Sequence, residues 1–186
     1  HEICRTCDIR IIGDHNLENV LAAAAICYFA GISEDVICEG IKAFGGVEHR
    51  IEFCRELDGV KYYNDSKGTN TDASITAIKA LAENIILIAG GDSKGQDFDE
   101  FVKYFDPGVK EVILLGRDAH FIEEAAKKAG YTNMVYCRDM DDCVRQARCD
   151  AKPGDKVLLS PACASWDMYQ NFEQRGEHFK DCVRRL

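Results

Sequence analysis

The run Asn84-Ile85-Ile86-Leu87-Ile88-Ala89-Gly90-Gly91 decides the fold. Five apolar residues without a polar break fit a strand buried on both faces, and the paired glycines stop it. The same unit recurs toward the C-terminus: Glu111 to Leu115 closes at Gly116, Met134 to Cys137 is a short strand, and Lys156 to Leu159 is another. Segments with helical spacing lie between them, at 98–105, 119–129 and 141–149, and a last helix is expected over 172–184. On the other side of the run, Thr71 to Ala82 reads as a helix. Ile51 to Leu57 and Val60 to Tyr63 read as strands joined at Asp58-Gly59, a two-residue hairpin signal. Apolar strands alternating with amphipathic helices imply an α/β fold, a Rossmann-like and mostly parallel sheet with helices on both faces.

The first residues lack this alternation. Residues 1–12 are β-like, and two helices follow, Asn16 to Ala30 and Glu34 to Phe44. Ser33 is the expected cap of the second, and Gly45-Gly46 its end. This helical pair precedes the alternating pattern, which begins after His49-Arg50.

Composition narrows the function. The 186 residues carry 23 basic and 32 acidic side chains, a net charge of −9 and a pI of about 5.0. That balance lacks the basic footprint a phosphate backbone or anionic membrane requires, so nucleic acid and membrane are not expected partners. No apolar run approaches the roughly 20 residues of a membrane span. Ten cysteines are scattered through strands and helices rather than set in a compact scaffold. They are expected to be reduced thiols of a cytoplasmic protein. Cys4-x-x-Cys7 has no second pair at zinc-ribbon spacing. The chain starts at His1 rather than Met, and is expected to be a piece of a longer one.

In such sheets, ligands collect at the carboxyl ends of the strands. Three of those ends carry polar, small-residue loops: Asn64 to Asn70, Gly90 to Gly95 and Ser160 to Ser165. The glycines at 90–95 have the wrong spacing for a dinucleotide fingerprint, and no Gly-x-x-x-x-Gly-Lys-Ser/Thr occurs anywhere. Lys94 and the amides of that loop suit an anion such as a carboxylate, and the plain alternative for Lys94 is a solvated surface lysine. Neither Cys163 nor Ser165 has the sequence setting of a nucleophile.

Taken in order, Gly13-x-His15-Asn16-x-x-Asn19-x-x-Ala22-Ala23, His49-Arg50, Asn64-Asp65-Ser66-Lys67-Gly68-Thr69-Asn70, Gly90-Gly91-Asp92-x-Lys94 and Ser160-Pro161-Ala162-Cys163-Ala164-Ser165 resemble the Mur ligase family. The resemblance runs from Gly13 to Arg175 and is nearest to members that add D-glutamate. It implies the end of a central ATPase domain at 1–46 and a complete C-terminal Rossmann-like domain at 47–186. The implied reaction is ATP-dependent amide formation between D-glutamate and UDP-N-acetylmuramoyl-L-alanine through an acyl phosphate, a step in making the bacterial cell wall. By the same resemblance, Asn16 and Asn19 contact adenine, Arg50 a phosphate and Asp65 the ribose, while Lys67 helps draw the site shut. The plainer alternatives are that Asp65 and Lys67 cap the turn before the next helix and that Asn16 is an N-cap. Lys94, Ser165, Thr69 and the backbone near Phe172 receive D-glutamate. No catalytic residue or metal ligand is assigned to these residues. The family's P-loop, magnesium carboxylate and modified lysine precede this region, so ATP and Mg2+ belong to the longer enzyme and the piece alone is expected to be inactive. Gly68 replaces a common alanine and Trp166 a smaller apolar residue, which bears on side-chain selectivity. The alternatives are another Mur or folylpolyglutamate-type ligase and a stand-alone binding module.

Overall fold

The computed structural model describes residues 2–186, in two compact units, His1–Val47 and Glu48–Leu186. In the first, a 3-10 turn over Thr6–Asp8 precedes helices α1 (Asp14–Phe29) and α2 (Glu34–Ala43). The β-like reading of residues 1–12 is corrected over the described part: no strand forms, because none of the described residues of this unit offers a strand to pair with. Helix α1 starts two residues earlier than expected, with Gly13 as N-cap at φ 97. Ser33 does stand at the N-cap of α2, but its side chain makes no capping bond. Both helices leave large apolar side chains exposed, among them Ile26, Phe29 and Val36.

The second unit is a six-stranded sheet of β1 (Glu52–Leu57), β2 (Val60–Asn64), β3 (Ile85–Ala89), β4 (Val109–Leu114), β5 (Met134–Tyr136) and β6 (Lys156–Leu159). Their order in space is β1-β2-β6-β3-β4-β5. Only the β1–β2 pair is antiparallel. Its turn has positive φ at both Asp58 (51°) and Gly59 (77°), which matches the type I′ geometry that the right-handed strand twist favours. Helices α3 (Thr71–Leu81), α4 (Ala119–Lys128), α5 (Met140–Asp150) and α6 (Phe172–Arg184) complete the unit. Ile86, Ile88, Val157 and Leu159 share one core with Val144 of α5 and Phe179 of α6. Strand alternation sends the equally buried Leu87 and Leu158 to the other face.

The expected helix at 98–105 is corrected to a 3-10 turn over Phe101–Tyr104. The apolar spacing was sound, since Phe98, Phe101, Val102 and Phe105 are all buried. Pro107 bars continuation and disfavours helical backbone at Asp106, while Asp97 turns back on the Asp99 amide at 2.7 Å. One turn is what fits between them.

Candidate functional site

The three polar loops meet because β2, β6 and β3 are neighbours, and backbone bonds continue past the strand ends. Asp65 N–H donates to the Leu159 carbonyl at 2.7 Å and Gly90 N–H to that of Pro161 at 2.8 Å. Asp92 and Ala164 exchange bonds of 2.9 Å in both directions. Gly91 permits this closeness: at φ +136 it lies where an added Cβ would run into the Ala164 carbonyl.

Beneath the rim runs a buried polar relay. Ala162 N–H donates to Ser74 Oγ at 3.0 Å, Ser74 Oγ lies 2.8 Å from Ser160 Oγ, and Ser160 donates to Asp65 Oδ2 at 2.6 Å. Asp65 Oδ1 accepts from Ile51 N–H at 3.2 Å. Both oxygens of Asp65 are thus engaged by the protein. Burial pushes its carboxyl up to about 7, outweighing the bonds from Ser160 and Ile51 and the charges of Arg50 and Arg175. Between the unfolded value of about 3.9 and this value, the folded chain keeps a proton that the unfolded chain has lost. The stabilisation is complete below the unfolded value and disappears as pH rises through about 7. Asp65→Asn is therefore expected to melt higher, relative to the parent, at pH 8 than at pH 5. Equal differences at both pH values would contradict this account.

Arg175 locks the loops together from α6. It is 3% exposed and donates to Ser66 Oγ (3.0 Å), the Ser66 carbonyl (2.8 Å) and the Cys163 carbonyl (3.1 Å). Burial lowers its guanidinium to about 10, which still leaves it charged near neutrality. Ser66 in turn donates to the Phe172 carbonyl at 2.8 Å. His49, at φ 62, sits beside this lock. The Asn64 amide carbonyl accepts from Ser66 N–H at 3.1 Å, so its nitrogen faces His49 Nδ1 at 2.9 Å. Nδ1 must then accept, and the ring proton rests on Nε2. Gly176 makes room, since a Cβ there would meet that ring.

The outer rim carries donors. Lys94 is exposed, at φ 52, with its ammonium 4.1 Å from the Trp166 ring centroid. Lys67 sits 5.2 Å from that of Phe172. Ser165 is buried and Thr69 half-buried, and neither hydroxyl bonds to another described residue. Asn171 caps α6 by accepting from Gln174 N–H at 2.8 Å, and Phe172 contributes one of the first-turn amides that a helix leaves unpaired. Arg50 is exposed. Asn16 and Asn19 lie on α1 of the first unit, where Asn16 donates to the Ile12 carbonyl at 2.7 Å and is therefore no N-cap.

Ammonium groups, hydroxyls and free amides without a nucleophile make a surface for recognising anions. Cys163 is buried, and burial pushes its thiol up to about 12. All ten cysteines are free. Two ligand-like clusters, Asp141/His178/Cys182 and Glu48/His49/Glu177, already hold a protein cation. Arg185 bonds Asp141 and Cys182, and Lys180 bonds Glu48 and, at 2.6 Å, Glu177.

The family model described as "Mur ligase, glutamate ligase domain" matches residues 49–163. The chain belongs to the Mur ligase family. Relatives named UDP-N-acetylmuramoylalanine–D-glutamate ligase are 55% identical over 181 residues in Thermoanaerobacter sp. (strain X514), covering 96% of this chain, and 50% identical over all of it in Alkaliphilus metalliredigens. The chain spans 40% and 41% of the length of those two. Among solved structures, the UDP-N-acetylmuramate–alanine ligase of Thermotoga maritima superimposes with a TM-score of 0.71 at 16% identity, over 95% of this chain and 39% of that one. A Mycobacterium tuberculosis folylpolyglutamate synthase complexed with ADP and AMPPCP gives 0.66 at 17%, over 92% and 41%. These likenesses fix the Mur ligase C-terminal fold. No helix among the described residues is long and apolar enough to cross a membrane.

Arg175 and His49 went unassigned in the sequence. For Arg175 a signal existed: in a Mur ligase helix with apolar positions at 172, 179 and 183, a charge at 175 falls on the inward stripe.

Proposed function

We propose that this chain is part of a longer ATP-dependent ligase that joins D-glutamate to UDP-N-acetylmuramoyl-L-alanine in cytoplasmic synthesis of peptidoglycan precursors. Residues 1–46 belong to its central ATPase domain, and 47–186 to its amino-acid-binding domain. One observation carries the reading: the relatives with that name align along nearly the whole chain. The Ser165 and Thr69 hydroxyls, bonded to no other described residue, agree with it. An amino acid with two carboxylates, approaching a chain of net charge −9, needs such local donors.

Carboxylate activation by ATP supplies the leaving group, and the protein's part is positioning and charge neutralisation. Lys94 leaves the Trp166 face to meet a D-glutamate carboxylate. Ser165, Thr69 and the Phe172 amide supply hydrogen bonds to the same molecule. Arg50 neutralises phosphate, Asp65 addresses the ribose, Lys67 draws the site shut, and Asn16 and Asn19 read adenine. Mg2+ prefers oxygen ligands, and neither ligand-like cluster here is an oxygen-only set. The metal is therefore assigned to the remainder of the enzyme, and the chain by itself is expected to lack activity.

Steady-state kinetics of the full-length enzyme test this division. A charge-assisted bond contributes about 1.5–3 kcal/mol, so Lys94→Ala is expected to raise the KM for D-glutamate on the order of ten- to a hundredfold. The KM for ATP should barely move, and Arg50→Ala should do the reverse. If Lys94→Ala weakened ATP and spared D-glutamate, the glycine loop would be a phosphate cradle and the assignment wrong.

A further inference from the structure

Ser165 stands where the chain leaves the sheet. The last backbone pair on its N-terminal side is Ala164 with Asp92, and the next residue, Trp166, is 64% exposed. Past this point the loop is closed by a turn: Met168 N–H and Tyr169 N–H both donate to the Ser165 carbonyl, at 3.1 and 2.8 Å. A turn so exposed needs an anchor if its serine is to hold one position, and Tyr169 provides it. The Tyr169 hydroxyl lies 3.0 Å from His178 Nδ1, and His178 Nε2 lies 3.0 Å from Asp141 Oδ2. The other Asp141 oxygen is bonded by Arg185. The chain of bonds therefore crosses from α5 through α6 to the turn.

Its direction follows from the partners. A carboxylate accepts, so an imidazole proton sits on Nε2; in the neutral ring Nδ1 then accepts and the phenol O–H donates. Each member thus has one role, and the turn is held by a directional bond rather than by contact alone. We infer that Asp141, His178 and Tyr169 form a brace that positions the Ser165 hydroxyl for the amino acid's carboxylate. Tyr169 and His178 are positioning residues, and Tyr169 acts on substrate only through Ser165. The inference rests on the reading of Ser165 as a D-glutamate ligand.

A double-mutant cycle in the full-length enzyme separates the two. Losing a hydroxyl bond to a carboxylate is worth about ten- to a hundredfold in affinity, and losing a neutral bond about three- to tenfold. Ser165→Ala is expected to raise the KM for D-glutamate by about the first factor, and Tyr169→Phe by about the second. The KM for ATP should stay the same in both. The double variant should be no worse than Ser165→Ala, because Tyr169 has nothing left to position. Three results would overturn the brace. Tyr169→Phe could leave the D-glutamate KM unchanged while Ser165→Ala raises it. The two effects could multiply in the double variant. Tyr169→Phe could lower only the melting temperature, which marks a structural stitch between α6 and the turn. If Ser165→Ala alone leaves D-glutamate untouched, the substrate role of Ser165 fails first and the brace falls with it.

Discussion

Replacing Arg175 by methionine is expected to destabilise the chain by about 3–5 kcal/mol, a large part of the roughly 5–15 kcal/mol typical of a folded domain. The methionine would nearly fill the space, so the loss is polar. The Ser66 and Cys163 carbonyls would be left without their Arg175 donors, in a place water reaches poorly. Arg175→Lys should recover less than half, since one ammonium cannot reproduce three directed N–H groups. Urea unfolding followed by circular dichroism measures both. A methionine variant within about 1 kcal/mol of the parent would show that the buried charge costs as much as its bonds return.

The second large effect belongs to Gly91. Alanine there is expected to cost about 3–5 kcal/mol, combining a strained backbone with a collision against rigid neighbours. Its φ of +136 is a region side chains avoid, and its Cβ would strike the Ala164 carbonyl and lie 3.2 Å from Cys163 Cβ. Gly95 offers the control. It also has positive φ, +73, but open space around it, so Gly95→Ala should cost only about 1–2 kcal/mol. Equal losses at the two positions would mean that the close approach of the β3 and β6 loops contributes nothing.

Periodicity was enough to read the sheet. The run at 84–89 and the helix at 172–184 were legible because burial on both faces, or on one stripe, leaves a pattern over several residues. The sheet edge was legible too, since strand ends near the loops at 64, 90 and 160 follow from parallel topology alone. Residues 1–12 and 98–105 show the limit. Isoleucines at 11 and 12 suit a strand, but a strand exists only with a partner, and spacing says nothing about partners. The aromatic stripe at 98–105 marks what is buried without fixing the number of turns. The site's supporting bonds were the least legible part. Ser66 to Arg175, Ser74 to Ser160 and His178 to Asp141 join residues distant in sequence, and each is a polar residue that would pass for surface.

The strand made last is not the strand laid down last on an edge. β6 is the sixth in sequence but third in space, wedged between β2 and β3. Until β6 is in place, no strand pairing joins the β1–β2 hairpin to β3-β4-β5, and each lacks a partner along one edge. Joining waits for residues 156–159. During that interval both raw edges are open to strands of other nascent chains. The rim that holds Asp65, Gly91 and Ser165 also comes into being only then, so assembly of the sheet and assembly of the site are one late event.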